Sequence, residues 1–389
     1  MLSPAVTIDV WVDAGAGKEP LEWSGMAHFL EHMVFKGTQR LQPGEFDWAI
    51  ESQGGVSNAA TSHDYAHYYV TIAAEAVAQT LPYLAELVLG AAIPDAEFDA
   101  ERNVVLEEIR QADDDPDGVG YQMLCELLYA PHPYGRPVLG TPESLKTFSP
   151  DKMRQFHQAH YQPENMTVAI AGNLTAERAI ALIQSAFSQF PQPVPCPLLD
   201  SHAQHPPLPK LTQARKTLRL EHLEQCRLTL AWIGPGVAEL EAAAHMDLIS
   251  TVLGGGRSSR LVRELREEKQ LVQEIETDFS LQRDCGELSL TLWLEESELE
   301  EAEGILRDRI TTLSTELIQP TELTRAKRLL LNDYAFSTET PSQITGLYGY
   351  YATLSSPDLV SAYPQNIATA TAEAIQQTAQ KYLNPAHYT

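Results

Sequence analysis

Two histidines and a glutamate stand close together near the beginning of the chain, as His28, Glu31 and His32 of the motif HFLEH. Residues four apart project from the same face of an α-helix, so a helix here would present both imidazoles side by side. Two such nitrogens can bind one zinc ion at about 2.0–2.1 Å. The glutamate beside them can take a proton from water that the zinc acidifies. The motif therefore predicts a metal site with its own general base.

The alternative interpretation of this motif is a surface helix with two exposed histidines. A five-residue pattern of this kind arises by chance in roughly a few per cent of chains of this length and histidine content. A catalytic zinc site also needs a third protein ligand, and the acidic segment 95–112 offers several carboxylates. If that segment is helical, Glu101 and Glu108 share one face, while Glu107 projects about 100° away from Glu108. The pattern alone leaves Glu107 and Glu108 as alternative third ligands.

The motif must be carried by a helix, and residues 24–33 are predicted to form one, with Ser24 as its N-cap. Alternating apolar residues predict a strand at 6–12 before it and another near Tyr69 after it. The second half of the chain repeats this order, beginning with a strand at 227–233. Because each half mixes hairpin strands with helices, we predict an α+β fold of two homologous domains, each with helices packed on a mainly antiparallel sheet.

A proline-rich stretch near the middle of the chain is typical of a stiff linker, since prolines remove backbone donors and block helix formation. We predict an N-terminal zinc-binding domain at 1–190, the linker at 191–212 and a homologous C-terminal domain at 213–389. The C-terminal copy has Leu248 and Ile249 where the glutamate and the second histidine of the motif would align, so we expect one zinc site per chain. It also stops short of a counterpart for the last strand of the first copy, which suggests a clipped chain or a strand supplied elsewhere.

The composition is dominated by acidic residues, since 27 Lys and Arg against 53 Asp and Glu give a formal net charge of −26. This balance argues against a nucleic-acid partner, because phosphate neutralisation needs surplus Lys and Arg. No apolar run reaches the roughly 18 residues of a membrane-spanning helix. Four scattered cysteines without metal or redox spacing favour a reducing compartment. No signal-peptide pattern follows Met1, so we expect a cytoplasmic protein without a membrane span.

The stretch HFLEHMVFKGT, residues 28–38, resembles the pitrilysin family of inverted zincins, in the branch that includes mitochondrial processing peptidase. The resemblance covers nearly the whole chain. It implies that the third zinc ligand is the glutamate 76 residues after the second histidine, which is Glu108. It also implies that Glu101, seven residues earlier, supports the site by orienting a ligand or by its charge, and that Glu107 is solvated surface.

The stretch GGVSNAATS, residues 54–62, resembles the strand that lies beside the metal in this family and pairs with an extended substrate. Such pairing is β-augmentation, in which backbone hydrogen bonds give affinity, and it implies that Asn58 and Ala59 bind substrate. The resemblance matches Arg266 to the family's substrate-binding arginine, whereas the tyrosine expected seven residues later is Gln273. A lost phenol donor would cost on the order of 10²–10³ in rate if it acts at the developing oxyanion.

The residues and the resemblance together predict a zinc metalloendopeptidase subunit that hydrolyses short or unfolded peptides inside a two-chain chamber. Zinc-bound water, activated by Glu31, would attack the scissile carbonyl. Because of Gln273, we expect a homologous non-zinc partner that supplies the Arg/Tyr pair, with a self-sufficient homodimer as the second choice. The alternatives from other classes are a non-catalytic core subunit of a larger complex, against which the intact motif argues, and a metal-dependent peptide-binding module.

Overall fold

The structure is a computed structural model that describes residues 4–190, 206–209, 214–220 and 225–389. The chain divides into two compact units. The first comprises Met1–Gln122, Tyr129–Pro207 and Ser337–Pro357, and the second comprises Met123–Leu128, Leu208–Phe336 and Asp358–Thr389. Each unit has helices packed on one antiparallel sheet, so the predicted α+β fold with two such units is confirmed.

The sheet of the first unit has four strands, and one of its two inner strands is buried on both faces. Its strands are β1 Ala5–Val12, β2 Val56–Thr61, β3 Ala66–Ala73 and β4 Met166–Gly172. They lie in the order β2-β3-β1-β4, and neighbouring strands are antiparallel throughout. β1 is buried along nearly its whole length, whereas every second side chain of β2 is exposed at the edge of the sheet.

Helices make up most of the remaining described chain. They are α1 Met26–Val34, α2 Glu45–Glu51, α3 Val77–Leu89, α4 Asp95–Asp114, α5 Pro116–Tyr129, α6 Pro142–Leu145, α7 Pro150–His160, α8 Ala176–Ala186, α9 Leu240–Gly254, α10 Leu299–Thr315, α11 Pro320–Phe336, α12 Pro341–Leu354, α13 Leu359–Thr369 and α14 Ala372–Tyr382. None of them, within the part of the chain that the structure describes, is long and apolar enough to cross a membrane.

The core of the first unit lies on the inner face of the sheet, where alternate β1 residues such as Ile8 and Val10 meet apolar side chains of several helices. Phe29 of α1, Leu84 of α3 and Phe156 of α7 belong to this cluster, and all are fully buried. The 3.6-residue spacing of apolar positions in these helices turns one stripe toward the sheet. The same periodicity leaves the opposite stripe of α1 free for polar side chains.

Helix α12 covers the outer face of this sheet, although it follows the second unit's helices in the chain. Trp11 on β1 is 3% exposed and packs against α12, with its ring centroid 6.5 Å from that of Tyr350. The sequence-based division had placed α12 in the C-terminal domain, whereas the structure assigns it to the first unit. The linker at 191–212 lies mostly outside the described residues, so a boundary there stays a prediction.

The second unit repeats the strand order of the first. Its strands are β5 Cys226–Gly234, β6 Val272–Leu281 and β7 Gly286–Leu294, in the order β6-β7-β5, which corresponds to β2-β3-β1. On the side of β5 away from β7, the Ala231 N–H donates to the Thr389 carbonyl at 2.9 Å, and the Thr389 N–H donates to the Ala231 carbonyl at 3.2 Å. This is the position that β4 occupies beside β1, so the strand order agrees with the internal duplication predicted from the sequence.

Two glycines of α12 provide a matched test of its packing. A Cβ on Gly349 would lie 2.0 Å from the indole nitrogen of Trp11, whereas a Cβ on Gly346 would meet nothing within 4 Å. We expect Gly349→Ala to destabilise the first unit by about 1–3 kcal/mol through overpacking. Gly346→Ala should stabilise it by about 0.4–1 kcal/mol, because alanine restricts the unfolded chain. Denaturant unfolding of both variants measures this, and equal effects would contradict the assigned packing of α12.

Candidate metal centre

Helix α1 presents His28, Glu31 and His32 on the side that faces away from the core. Met26, Phe29, Leu30 and Met33 are fully buried, and this spacing marks the inner stripe of the helix. The imidazoles of the two histidines are only about one-seventh exposed, at 13% for His28 and 15% for His32. Their ring centroids lie 4.8 Å apart, as the four-residue spacing predicts.

The first turn of α1 is fixed by its neighbours rather than by the predicted cap. The N-cap is Gly25, with a φ of 93° that favours glycine, and a Cβ there would lie 2.6 Å from the Leu139 carbonyl. The prediction that Ser24 caps the helix is therefore wrong. The capping acceptor is the buried carboxylate of Glu19, which takes hydrogen bonds from the N–H groups of Gly25 at 2.9 Å and Ala27 at 2.7 Å. This contact spans six and eight residues, so a motif search for N-caps does not find it.

Helix α4 brings the third candidate ligand to the histidines. Glu108 Oε2 lies 3.6 Å from Nε2 of His28 and 3.3 Å from Nε2 of His32. One ligand atom from each of the three residues lies within 4.8 Å of the others, and within the described ranges this is the group of His, Cys, Asp or Glu that could hold a metal ion. Tetrahedral coordination with bonds of about 2.0–2.1 Å would place ligand atoms about 3.4 Å apart. The two nitrogens and the oxygen therefore fit a zinc ion.

Glu101 contacts the other nitrogen of the same imidazole. Its Oε1 lies 3.0 Å from Nδ1 of His32, and its Oε2 forms an ion pair at 2.6 Å with Nζ of Lys36. If Nδ1 carries the proton and donates to Glu101, Nε2 is left with its lone pair toward the metal position. Glu101 and Glu108 thus contact the two nitrogens of one imidazole ring. Both can do so because they lie on the same face of α4. Lys36 was missed in the sequence analysis, although it follows His32 by four residues.

Glu107 lies elsewhere on α4 and is more than half exposed. It pairs with Arg110 one turn later on the helix surface. The structure therefore brings Glu108, not Glu107, to the histidines. The residue pattern had left both as possible third ligands, and the face of α4 that meets α1 is the one that carries Glu108.

Burial adjusts the protonation of two site residues. Desolvation, with a smaller contribution from the neighbouring His32, lowers the pKa of His28 to about 4, so this imidazole is neutral near pH 7 and free to bind a metal. Desolvation also raises the pKa of Glu31, and a hydrogen bond from Thr61 Oγ1 at 2.5 Å acts in the opposite direction. A carboxyl whose pKa is raised toward neutrality is suited to accept and return a proton.

The predicted substrate strand is β2, at the edge of the sheet. Ala59 pairs with Tyr68 of β3, and the Ala59 N–H is bonded by the side-chain oxygen of Asn58 at 2.9 Å. Side chains alternate along a strand, so Asn58 lies on the face opposite to that of Thr61, which contacts Glu31. The structure therefore places the Asn58 side chain away from the face that meets α1, while the exposed strand edge leaves backbone groups available for pairing.

Arg266 and Gln273 belong to the second unit. The Arg266 guanidinium donates to Glu267 at 2.9 and 3.2 Å, within a π-helical segment at Val262–Glu268. Gln273 is exposed at a bulge near the beginning of β6, and its side-chain oxygen accepts a hydrogen bond from Gln225 at 2.6 Å. Both side chains therefore have local partners within their own unit.

Comparisons with known proteins agree with this fold and motif. The family model described as insulinase, peptidase family M16, matches residues 2–142, and the model described as the peptidase M16 inactive domain matches residues 147–330. A Bacillus subtilis protein named as an uncharacterized zinc protease is 30% identical over 336 residues, covering 86% of this chain and 80% of its own length. A similarly named Streptomyces coelicolor protein is 28% identical, over 83% of this chain and 70% of its length.

Solved structures give the same answer. The crystal structure of a protease from Helicobacter pylori matches with a TM-score of 0.89 and 25% identity, over 100% of this chain and 93% of that chain. The structure of an M16-like peptidase from Alicyclobacillus acidocaldarius matches with a TM-score of 0.85 at 18% identity, over 100% and 92% of the two chains, and so supports the fold alone. The chain belongs to the M16 peptidase family, which confirms the family membership predicted from HFLEHMVFKGT.

Neighbouring glutamates on α4 test the ligand assignment. We expect Glu108→Gln to weaken zinc binding by more than about 100-fold, because even outer partners of metal ligands are worth about 10–100-fold in affinity. Glu107→Gln should bind zinc as the wild type does, since that side chain is more than half exposed and pairs with Arg110 on the surface. Competition with a fluorescent chelator measures both dissociation constants. Similar affinities in the two variants would rule out Glu108 as a ligand.

Proposed function

We propose that this chain is a zinc endopeptidase subunit that hydrolyses short or unfolded peptides, with one zinc ion held by His28, His32 and Glu108. The observation that carries the proposal is the spacing of 3.3–3.6 Å between the Glu108 oxygen and the two imidazole nitrogens. A protonatable carboxyl on the same short helix, Glu31, lies beside them. Three ligands and an adjacent base are the donor set of hydrolytic zinc sites.

The chain's own residues would divide the chemistry among them. A zinc ion in such a site acts as a Lewis acid and lowers the pKa of water toward about 7. Glu31 takes the proton of the attacking water at its carboxylate and later returns it to the leaving amine. Thr61 holds one oxygen of that carboxylate by its hydroxyl, which leaves the other oxygen to exchange the proton. Glu101 orients the ring of His32 through Nδ1.

The edge position of β2 supports an extended substrate. In the described sheet β2 is an edge strand, so a peptide could add beside it as another strand, with backbone hydrogen bonds near Asn58 and Ala59 setting its register. Most backbone groups of a folded protein are already hydrogen-bonded, whereas a short or unfolded peptide has its backbone available for pairing. We therefore propose short or unfolded peptides as substrates and a chamber formed by two chains as the site of cleavage.

The first test of this function removes the base and keeps the ligands. We expect Glu31→Gln to bind zinc with wild-type affinity and to lose at least about 100-fold in kcat, because an amide cannot accept the proton. Glu51→Gln, on an exposed residue at the end of α2, is the control and should keep full activity. Zinc content and cleavage of unstructured peptides are measured on the same preparations. Full turnover of zinc-loaded Glu31→Gln protein would refute the mechanism.

We further propose that a homologous chain without a zinc motif completes the enzyme. The second half matches a family model described as an inactive domain, and Gln273 stands where the resemblance expects a tyrosine. Arg266 alone then remains of the substrate-binding pair. Homodimerisation with Gln273 in place of the phenol is the competing arrangement.

Activity of the isolated chain separates these two assemblies. We expect the purified chain alone to cleave peptides weakly, and addition of a related chain that carries the Arg/Tyr pair to raise the rate by about 10²–10³, the usual worth of one oxyanion donor. Light scattering gives the oligomeric state in both samples. Strong activity of the isolated chain as a homodimer would contradict the need for a partner.

A further inference from the structure

We propose that Glu19 is a positioning residue for the metal centre, which holds the first turn of α1 so that His28 stands opposite Glu108. This inference rests on the proposed zinc peptidase function and assigns a role to a residue outside the motif. Glu19 lies nine residues before His28 and is only 4% exposed. Neither its sequence context nor its distance from the motif points to the site.

The contact of Glu19 with α1 occupies both of its carboxylate oxygens. Oε2 accepts from the Gly25 N–H at 2.9 Å and Oε1 accepts from the Ala27 N–H at 2.7 Å. These groups belong to the N-terminal turn, whose N–H groups have no partner within the helix. One side chain therefore secures two successive points of the helix beginning, and the second point adjoins His28.

His28 depends on this anchoring more than His32 does. The Nδ1 atom of His32 is held by Glu101, whereas Nδ1 of His28 is buried and has no hydrogen-bond partner among the residues that the structure describes. Within the described part of the chain, the direction of the His28 Nε2 lone pair is therefore set by the backbone of α1 and by the packing around the ring. One residue of helix corresponds to about 1.5 Å of rise and 100° of rotation, so even a partial slip of the first turn would carry His28 away from Glu108.

A second connection ties Glu19 to the strand on the other side of the site. Arg136 donates from Nη1 to the Glu19 backbone carbonyl at 3.0 Å, and the Arg136 carbonyl accepts from Nε2 of His63 at 2.9 Å. His63 lies in the turn between β2 and β3, two residues after Thr61, which bonds Glu31. Glu19 thus joins the beginning of the metal helix to the end of the edge strand.

The buried environment of Glu19 determines which substitution tests its role. Burial raises the pKa of this carboxyl to about 8, while the N–H bonds and Arg136 act in the opposite direction. Replacement by glutamine keeps the shape of the side chain and carries no charge, so it does not open a cavity beneath α1. The amide nitrogen cannot accept a hydrogen bond, so one of the two N–H groups loses its partner. Glu19→Gln therefore removes one of the two bonds that hold the first turn of α1 and leaves the packing around the side chain in place.

The experiment measures zinc binding and turnover in Glu19→Gln, with Glu22→Gln as the matched control. Glu22 is a nearby glutamate with an exposed side chain. We expect Glu19→Gln to raise the zinc dissociation constant about 10-fold and to lower kcat by about 10–100-fold, the range for residues that orient metal ligands. KM should not change, because β2 keeps its free edge. Glu22→Gln should match the wild type in each measurement.

Wild-type zinc affinity and kcat in folded Glu19→Gln protein would overturn the proposal, even if its melting temperature fell, because Glu19 would then be a structural cap only. If Glu19→Gln does not fold, Glu19→Asp is measured in the same way. The aspartate keeps the carboxyl group but is one methylene too short to reach both N–H groups, and unchanged zinc binding would again overturn the proposal. A wild-type chain that binds no zinc would instead refute the proposed function, so the two failures are distinct.

Discussion

The structure of the site depends on one interaction, in which the His32 imidazole lies between two carboxylates of α4. Glu108 lies against Nε2 and Glu101 against Nδ1, two helical turns apart on one face of the same helix. This arrangement needs α1 and α4 side by side, with α1 unable to rotate or slide. The sheet beneath α1, the Gly25 approach to the Leu139 carbonyl and the Glu19 anchor all serve that requirement. A helix of nine residues is not stable on its own in water, so it depends on such tertiary contacts.

The second unit has the same strand order as the first but lacks the HFLEH motif. Its helix α9 follows β5 as α1 follows β1, but it is buried on nearly all sides. Leu248 and Ile249, at the positions of the glutamate and second histidine, are fully buried core residues. His245 is buried as well, with Nδ1 beside the Thr378 hydroxyl at 2.9 Å. An apolar helix at this position packs as core, and it offers no set of donors that could converge on an ion.

Much of this site could be predicted from the sequence, because it depends on helical periodicity. The spacing of four placed both histidines on one face, and the spacing of seven placed Glu101 and Glu108 together. The choice between Glu107 and Glu108 needed the family resemblance, since it depends on how α4 meets α1. The anchor of α1 was predicted wrongly at Ser24. The actual acceptor, Glu19, lies six residues before Gly25, which is outside the range of the local sequence patterns that identify N-caps. The position of α12 was missed for the same reason, because Trp11 and Gly349 meet only through the fold.

The central claim is that His28, His32 and Glu108 form one zinc site. Anomalous diffraction from a zinc-soaked crystal, collected on both sides of the zinc absorption edge, tests it most directly. We expect an anomalous peak within about 2.0–2.2 Å of Nε2 of both histidines and of a carboxylate oxygen of Glu108. A peak at other residues, or the absence of a peak between α1 and α4 in zinc-saturated crystals, would contradict it.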